Sequence, residues 1–385
     1  VLLLLLFALQ VVALSYLYSC TYDEKVHIAS GLCYLRTGEF SGGWHNPPAV
    51  QLLLSLPYWF GIDELEPLVN NAPIAARLVN CLLGCLFVLA VYGLARVVCS
   101  RNSALLALSM CVMSPTVTGL SAIAGTDVGV AAFGVLSVLL LYVALEKNNL
   151  FWFILTGFAC GLSCAAKFSG FGIPVVVLFL FLLHKNRTWS QIVKVAVTIA
   201  LTSWLTFSSF YLFEGCFTHK PHLKDNKVKA AVGFFLPKRA VFDMRVVARK
   251  ASQGWDVRLL GVTSEKGAWW YYPAIFLLKT PLGTLLLMLL AGWCALRGSG
   301  KSPLFYHILL VFLFLVTPIV LFNRAQSGVR HLTIAYPYLY VAIAGLCLSY
   351  DKSRSIFAVV AVAVIINLLT VVSTYPLNLS FVNGM

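Results

Sequence analysis

The chain is a succession of apolar runs, each about 20 residues long, separated by short polar joints. A run of that length crosses the hydrocarbon of a bilayer as a helix. Lipid supplies no water for bare backbone groups, so a chain made of such runs folds as a helical bundle, not as an open sheet. Composition agrees. Of the 385 residues, 60% are hydrophobic and 11% charged, with mean hydropathy +0.88. A soluble domain carries roughly a quarter charged residues. The expected architecture is an all-α polytopic membrane protein, a single membrane domain over 1–385, with no soluble domain and no internal repeat. Candidate spans, about eleven in all, lie near 1–18, 75–96, 103–121, 128–145, 150–166, 170–184, 192–213, 272–296, 303–322, 332–349 and 355–374. Val1 stands where an initiator methionine is expected, which predicts a chain truncated at its N-terminus.

The net charge of +14 is ordinary for a basic membrane protein and predicts no nucleic-acid partner. Its distribution sets an orientation. The connections with Arg96, Arg101, Lys147, Lys185, Arg187, Lys194, Arg297, Lys301, Lys352 and Arg354 are strongly basic, which assigns them to the cytosol. The loop of about 19–74 carries Asp23, Glu24, Glu39, Asp63, Glu64 and Glu66, and falls on the outer side. A second outer loop, about 214–271, is rich in Lys and Arg. Long loops are exempt from the charge rule, and a basic outer surface suits either lipid headgroups or an anionic ligand. The eleven cysteines sit mostly inside apolar runs, as at Cys81, Cys85, Cys160 and Cys164, where they act as small hydrophobes. His219 and His222, three apart with no cysteine near, are a weak metal pair.

The first outer loop is the most informative stretch. Thr21 and Glu24 have the spacing of a capping box. Tyr22, Val26, Ala29 and Cys33 share a helical face, joined by Ile28, Leu32 and Leu35, and Gly38 is placed to end the helix, so an amphipathic helix on the membrane surface is expected. Capping accounts for Glu24. It accounts less well for Asp23, and an adjacent acid pair at a membrane surface also suits a general base or a metal ligand. His45-Asn46-Pro47-Pro48 follows; the prolines predict an extended entry and a fresh helix start, and His45 reads either as a hydrogen-bonded loop residue or as a functional group. Arg77, near the outer end of the second span, has two readings: partner to a first-loop acid, or interfacial anchor. Asp127 follows Thr126 at a helix start, where capping is the simplest role.

The run YDEKVHIASGLCYLRTGEFSGGWHNPPAVQLLLSLP resembles the first outer loop of the GT-C glycosyltransferases, with protein O-mannosyltransferases and lipid A aminoarabinose transferases as the nearest relatives. AARLVNCLLGCLFVLAVYGLAR, SPTVTGLSAIAGTDVG, GLSCAAKFSG, WWYYPAIFLLKTPLG and GVRHLTIAYPYLYVAIAGL resemble later segments of the same families, in order, over nearly the whole chain. In relatives the histidine runs straight into the prolines of a His-Pro-Pro element, whereas Asn46 intervenes here. Relatives also continue past YPLNLSFVNGM, which predicts truncation at the C-terminus too.

The resemblance implies a GT-C fold with two large outer loops carrying juxtamembrane helices, and a polyprenyl-phosphate-linked sugar as donor. It implies an acceptor hydroxyl on protein, lipid or glycan, and a site facing the periplasm or exterior of a bacterial plasma membrane. By analogy Asp23 is the base for an inverting displacement, with Glu24 positioning it. The donor phosphate needs cations; Lys167, Lys279, Arg330 and His331 are the candidates, with Arg77, His45 and Asp127 in support. Lys279 is expected about seven residues inside a span, where a buried charge costs about 2.5–3.5 kcal/mol unless it snorkels. A divalent metal ion is left open, since relatives differ. The rival class is a transporter or flippase of lipid-linked sugars, which tends to carry repeats and a polar site at mid-depth.

Overall fold

The computed structural model of the protein describes residues 1–39, 45–62, 72–184, 188–218, 233–297, 303–349 and 354–383. His219, His222 and, of the basic second outer loop, Lys220, Lys224, Lys227 and Lys229 lie outside them. The helices are α1 (Leu2–Leu17), α2 (Tyr22–Thr37), α3 (Pro48–Trp59), α4 (Ile74–Val98), α5 (Arg101–Val112), α6 (Pro115–Ser121), α7 (Asp127–Lys147) and α8 (Leu150–Ala166). They continue as α9 (Gly172–Leu183), α10 (Trp189–Ser209), α11 (Lys238–Gln253), α12 (Tyr271–Lys279), α13 (Leu282–Leu296), α14 (Pro303–Phe322), α15 (Tyr336–Ser349) and α16 (Arg354–Thr374). One small antiparallel hairpin, Val257–Leu259 with Val262–Ser264, pairs Val257 with Ser264; Leu260 and Gly261 make its left-handed turn.

Among the described residues, four helices are long and apolar enough to cross a membrane: α4, α7, α10 and α16. Three bent pairs raise that to as many as seven, and α8, α9, α14 and α15 are shorter apolar helices beside them. Two expected single spans are therefore broken. The 103–121 run bends by 63° between α5 and α6, and the 272–296 run by 112° between α12 and α13. Proline is the cause in both. Pro115 and Pro281 lack a backbone N–H, and the residues before them, Ser114 and Thr280, are forced into extended geometry. Each break, at Ser114-Pro115-Thr116 and Lys279-Thr280-Pro281, is only a few residues long between apolar runs, so a window of span length passes over it. A 98° turn also separates α1 from α2, so α2 leaves the first span nearly at a right angle.

The cap of α2 forms as its sequence spacing predicts. The Thr21 N–H and hydroxyl both donate to Glu24 Oε2, at 2.7 and 3.0 Å, and Gly38 ends the helix with φ +71°. The packed face keeps Ile28 but otherwise differs from expectation. Glu24, His27, Ile28 and Gly31 turn inward, while Tyr22 and Ala29 are exposed. Buried polar partners decide this against the apolar stripe. Gly31 lies so close to Ser55 and the Gln51 carbonyl that a Cβ has no room, and Ser55 Oγ donates to the Ile28 carbonyl at 2.9 Å. Thus α2 and α3 stand as one tight pair.

Helix α4 is the hub, packed against α1, α3, α5, α7 and α15, with Phe87, Val88, Val91 and Leu94 sealed from solvent. Helices α8 and α10 meet through Gly157 and Gly161, four apart on one face, which bring Thr202, Ser203 and Thr206 against the α8 backbone. Ser203 Oγ donates to the Gly157 carbonyl at 3.0 Å. Lipid gives no hydrophobic drive between helices, so close backbone approach and such hydrogen bonds hold this pair. Gly161→Leu should push α10 away and cost about 1–3 kcal/mol or more of stability; a thermal unfolding midpoint in detergent equal to wild type counts against that packing role.

Candidate active site

A network at one end of the bundle fixes the site before any cavity residue is considered. Arg77, wholly buried at the start of α4, donates from Nε to Glu24 Oε1 at 2.7 Å and from Nη2 to Glu24 Oε2 at 2.9 Å. Its remaining protons reach the carbonyls of Ser15, Tyr18 and Ser19 at 2.6, 2.8 and 2.9 Å. Glu24 also accepts the Ala124 N–H at 2.9 Å. One turn along α4, Asn80 Nδ2 donates to the carbonyls of Leu120 and Ile123, at 3.0 and 2.6 Å. The turn leading into α7 is therefore clamped from two sides, and Asp127 at its end is placed beside Lys167, the residue just past α8.

A cavity of about 270 Å³ opens beside this network. Its wall takes Asp23 and His27 from α2, His45 and Asn46 from the entry to α3, and Asp127 from α7. Lys167 and Phe168 follow α8, Lys250 comes from α11, Trp255 from the segment after it, and Asn323, Arg330 and His331 from the stretch after α14. Arg330 Nη1 donates to Asp23 Oδ2 at 2.5 Å and Lys167 Nζ to Asp127 Oδ1 at 2.5 Å. Arg330 and Asp23 keep 38% and 33% of their side chains exposed, so this pair remains open to a ligand. Across the wall His45 Nδ1 lies 2.7 Å from Asp243 Oδ1, while Arg239 Nε donates to Asp243 Oδ2 at 2.9 Å.

His331 is held as a neutral donor. The Ala325 N–H donates to Asn323 Oδ1 at 3.1 Å, which turns Asn323 Nδ2 toward His331 Nδ1 at 2.8 Å. An imidazole that accepts at Nδ1 carries its proton on Nε2. Burial, then the neighbouring Lys167 and Arg330, push its pKa down to about 3, against the pull of Asp127.

Of the residues singled out from sequence, Asp23, His45, Asp127, Lys167, Arg330 and His331 come together in this cavity. Glu24 and Arg77 do not line it; they pair with each other behind it, and every Glu24 oxygen is already occupied. Lys279 is elsewhere. The break before Pro281 places it at the end of α12, half-buried, donating to the Leu379 carbonyl at 3.1 Å. The sequence reading passed over His27, Asn323, Trp255 and Asp243. His27 had a signal: it stands four residues after Asp23 on a helix whose cap was readable. The other three arrive only through tertiary contacts. Among the described residues, no three His, Cys, Asp or Glu side chains are grouped to share a metal ion, and both cavity aspartates are bound to cations. The described residues of the cavity do not by themselves make a metal site.

The model of the dolichyl-phosphate-mannose-protein mannosyltransferase family matches residues 62–211, the segment that carries Arg77, Asp127 and Lys167. In structure the chain is similar to ArnT from Cupriavidus metallidurans bound to undecaprenyl phosphate, with TM-score 0.63 and 14% identity over 96% of this chain and 64% of that one. It is similar to the Archaeoglobus fulgidus oligosaccharyltransferase in its apo form, with TM-score 0.63 and 13% identity over 100% of this chain and 56% of that one. Arabinosyltransferase EmbB from Mycobacterium smegmatis follows at TM-score 0.51 and 10% identity, over 96% and 37%. No curated protein sequence matches the chain. The chain spans less than two thirds of the length of each of these solved structures. These likenesses show the fold: with the long apolar helices described above, the chain is an integral membrane protein of GT-C fold.

Two outcomes follow for stability. Arg77→Met strands a buried carboxylate and should cost about 3–5 kcal/mol; a melting temperature within a degree of wild type contradicts the clamp. For His331, the folded state holds the pKa near 3 against 6.5 for the free side chain. The unfolded chain then binds a proton that the folded chain does not, so stability falls as pH drops from about 6.5 toward 3. His331→Gln should flatten that acid limb in a pH series of thermal unfolding, and an unchanged slope refutes the neutral assignment.

Proposed function

We propose that the protein is a membrane glycosyltransferase that moves a sugar from a polyprenyl-phosphate carrier to an acceptor hydroxyl, with inversion, at the outer face of the membrane. The observation that carries this reading is the convergence of Asp23, Arg330, Lys167 and a proton-donating His331 in one cavity, from segments hundreds of residues apart. A displacement at an anomeric carbon needs a base on one side and cations on the other.

The chemistry divides as follows. The acceptor oxygen attacks the anomeric carbon, and the carbon–oxygen bond to phosphate breaks with its electron pair going to the lipid phosphate. Asp23 Oδ2 is held by Arg330, which leaves Oδ1 to take the acceptor proton. Arg330, Lys167 and the Nε2–H of His331 receive the developing phosphate charge. The basic connections around Arg96, Arg101, Lys147, Arg297 and Arg354 lie at the opposite helix ends from the cavity, and positive loops face the cytosol. This supports an outward-facing site. Nucleotide sugars are scarce outside the cytosol, so a lipid-borne donor suits that face.

The cavity lies at helix ends, not at mid-depth in the bundle, which favours transfer over the transporter alternative. The test is reconstituted protein with a panel of polyprenyl-phosphate sugars, followed by mass spectrometry of the modified acceptor. Asp23→Asn should retain the fold and lower transfer by about 10²–10⁴-fold. Full activity in that variant removes Asp23 as the base, and no transfer by wild type from any donor removes the reading itself.

A further inference from the structure

One wall of the cavity holds a polar constellation that the proposed displacement does not use. His45 enters from the short segment before α3, and Asp243 from the middle of α11, 198 residues later. Asp243 is buried, at 3% exposure, and both of its oxygens are engaged: Oδ1 by His45 at 2.7 Å and Oδ2 by Arg239 at 2.9 Å. A carboxylate flanked by a permanent guanidinium stays an acceptor, so His45 must present a proton to it from Nδ1. In the Nδ1–H tautomer the ring carries its lone pair on Nε2, at its opposite edge. The Phe242 ring, 5.9 Å from the imidazole, flanks it, and Arg239 lies 5.6 Å from the Phe242 ring centre.

We infer that His45, set in its Nδ1–H tautomer by Asp243, is a hydroxyl-binding point of the cavity: its Nε2 accepts a hydrogen bond from a hydroxyl of the bound sugar or of the acceptor. The cations that line the cavity recognise negative charge, and Asp23 is the proposed base for the reacting hydroxyl. A polyhydroxylated ligand brings further O–H donors into a cavity of about 270 Å³, and these need fixed acceptors. An imidazole oriented from behind by a buried carboxylate is such an acceptor, with its direction fixed in advance. The ligand class rests on the glycosyl-transfer reading. The tautomer does not.

Asp243→Asn separates this role from that of a simple clasp between the two outer loops. The substituted side chain keeps a single oxygen, which Arg239 claims. Its amide nitrogen then faces His45 and donates to Nδ1, so the contact survives while the tautomer inverts and Nε2 becomes a donor. A clasp is indifferent to that exchange; a hydroxyl acceptor is lost. The full chain, labelled with 15N-histidine in nanodiscs, should show His45 as the Nδ1–H tautomer in wild type and Nε2–H in Asp243→Asn. The Nε2 resonance should shift when methyl mannoside is added to wild type and not to the variant.

Farnesyl phosphate and farnesyl-phosphoryl mannose distinguish the two sources of the hydroxyl. If it belongs to the donor sugar, Asp243→Asn weakens the mannosylated lipid about fivefold and leaves the bare lipid phosphate unchanged. If it belongs to the acceptor, both lipids bind as before and the acceptor KM rises instead. An Nε2–H tautomer in wild type, or no response of its Nε2 to methyl mannoside, overturns the inference. Failure of wild type to bind either lipid defeats the transferase reading, while the tautomer and the methyl mannoside response still decide the role of His45.

Discussion

The buried pair of Arg77 and Glu24 is the interaction on which the rest of this end of the molecule depends. All five guanidinium donors are used, two on the carboxylate and three on carbonyls at the end of α1. Ser15 is in the last turn of α1, where carbonyls lack intrahelical partners, and Tyr18 and Ser19 follow it in the turn toward α2. The carboxylate in turn closes the cap of α2 and holds the Ala124 N–H ahead of α7. One salt bridge therefore joins the end of the first span, the surface helix, the start of the second span and the turn before α7. A buried ion pair is seldom a net gain in stability over apolar packing. Its value here is geometric, because four chain segments acquire a common reference point.

That geometry explains why two adjacent acids have different fates. Successive residues on a helix point about 100° apart. With Glu24 directed into the protein and saturated, Asp23 must face the neighbouring direction, which is the cavity. The same clamp, through Ala124 and the Asn80 side chain, sets the start of α7, and with it the position of Asp127 against Lys167. The cavity is thus assembled from behind. Its charged lining is secondary to a network that never touches it.

How much of this the sequence discloses depends on the range of the interaction. Apolar runs mark the spans, because lipid imposes one length and one polarity on each. The Thr21–Glu24 spacing discloses the start of α2, and Gly38 its end, since both are local. The breaks at Pro115 and Pro281 are also local, but each dip in hydropathy is shorter than a span-length window, so Lys279 reads as a mid-span charge when it stands at a helix end. The inward face of α2 misleads for another reason. Its apolar stripe is real, yet burial follows the partners waiting in α3 and α4, and those favour Glu24, His27 and Gly31. A pairing such as Arg330 with Asp23, or His45 with Asp243, joins residues some 200 to 300 positions apart and leaves no spacing to read.

The pairing of Arg330 and Lys167 with carboxylates bears on how the proposed reaction is ordered. A ligand-free cavity holding those two cations bare repels its own walls; Asp23 and Asp127 remove that repulsion at contact distance. An arriving phosphate is therefore an exchange of anions on cations already placed, not the creation of a new charge cluster. Under the proposed function, Arg330 has room to share its remaining donors with the phosphate, because its pair with Asp23 is partly exposed. Asp127 lacks this freedom, being less exposed than Asp23 and fixed at a clamped helix start. The two ion pairs match in distance and differ in exposure, so the Arg330–Asp23 pair is the more accessible of the two to a ligand.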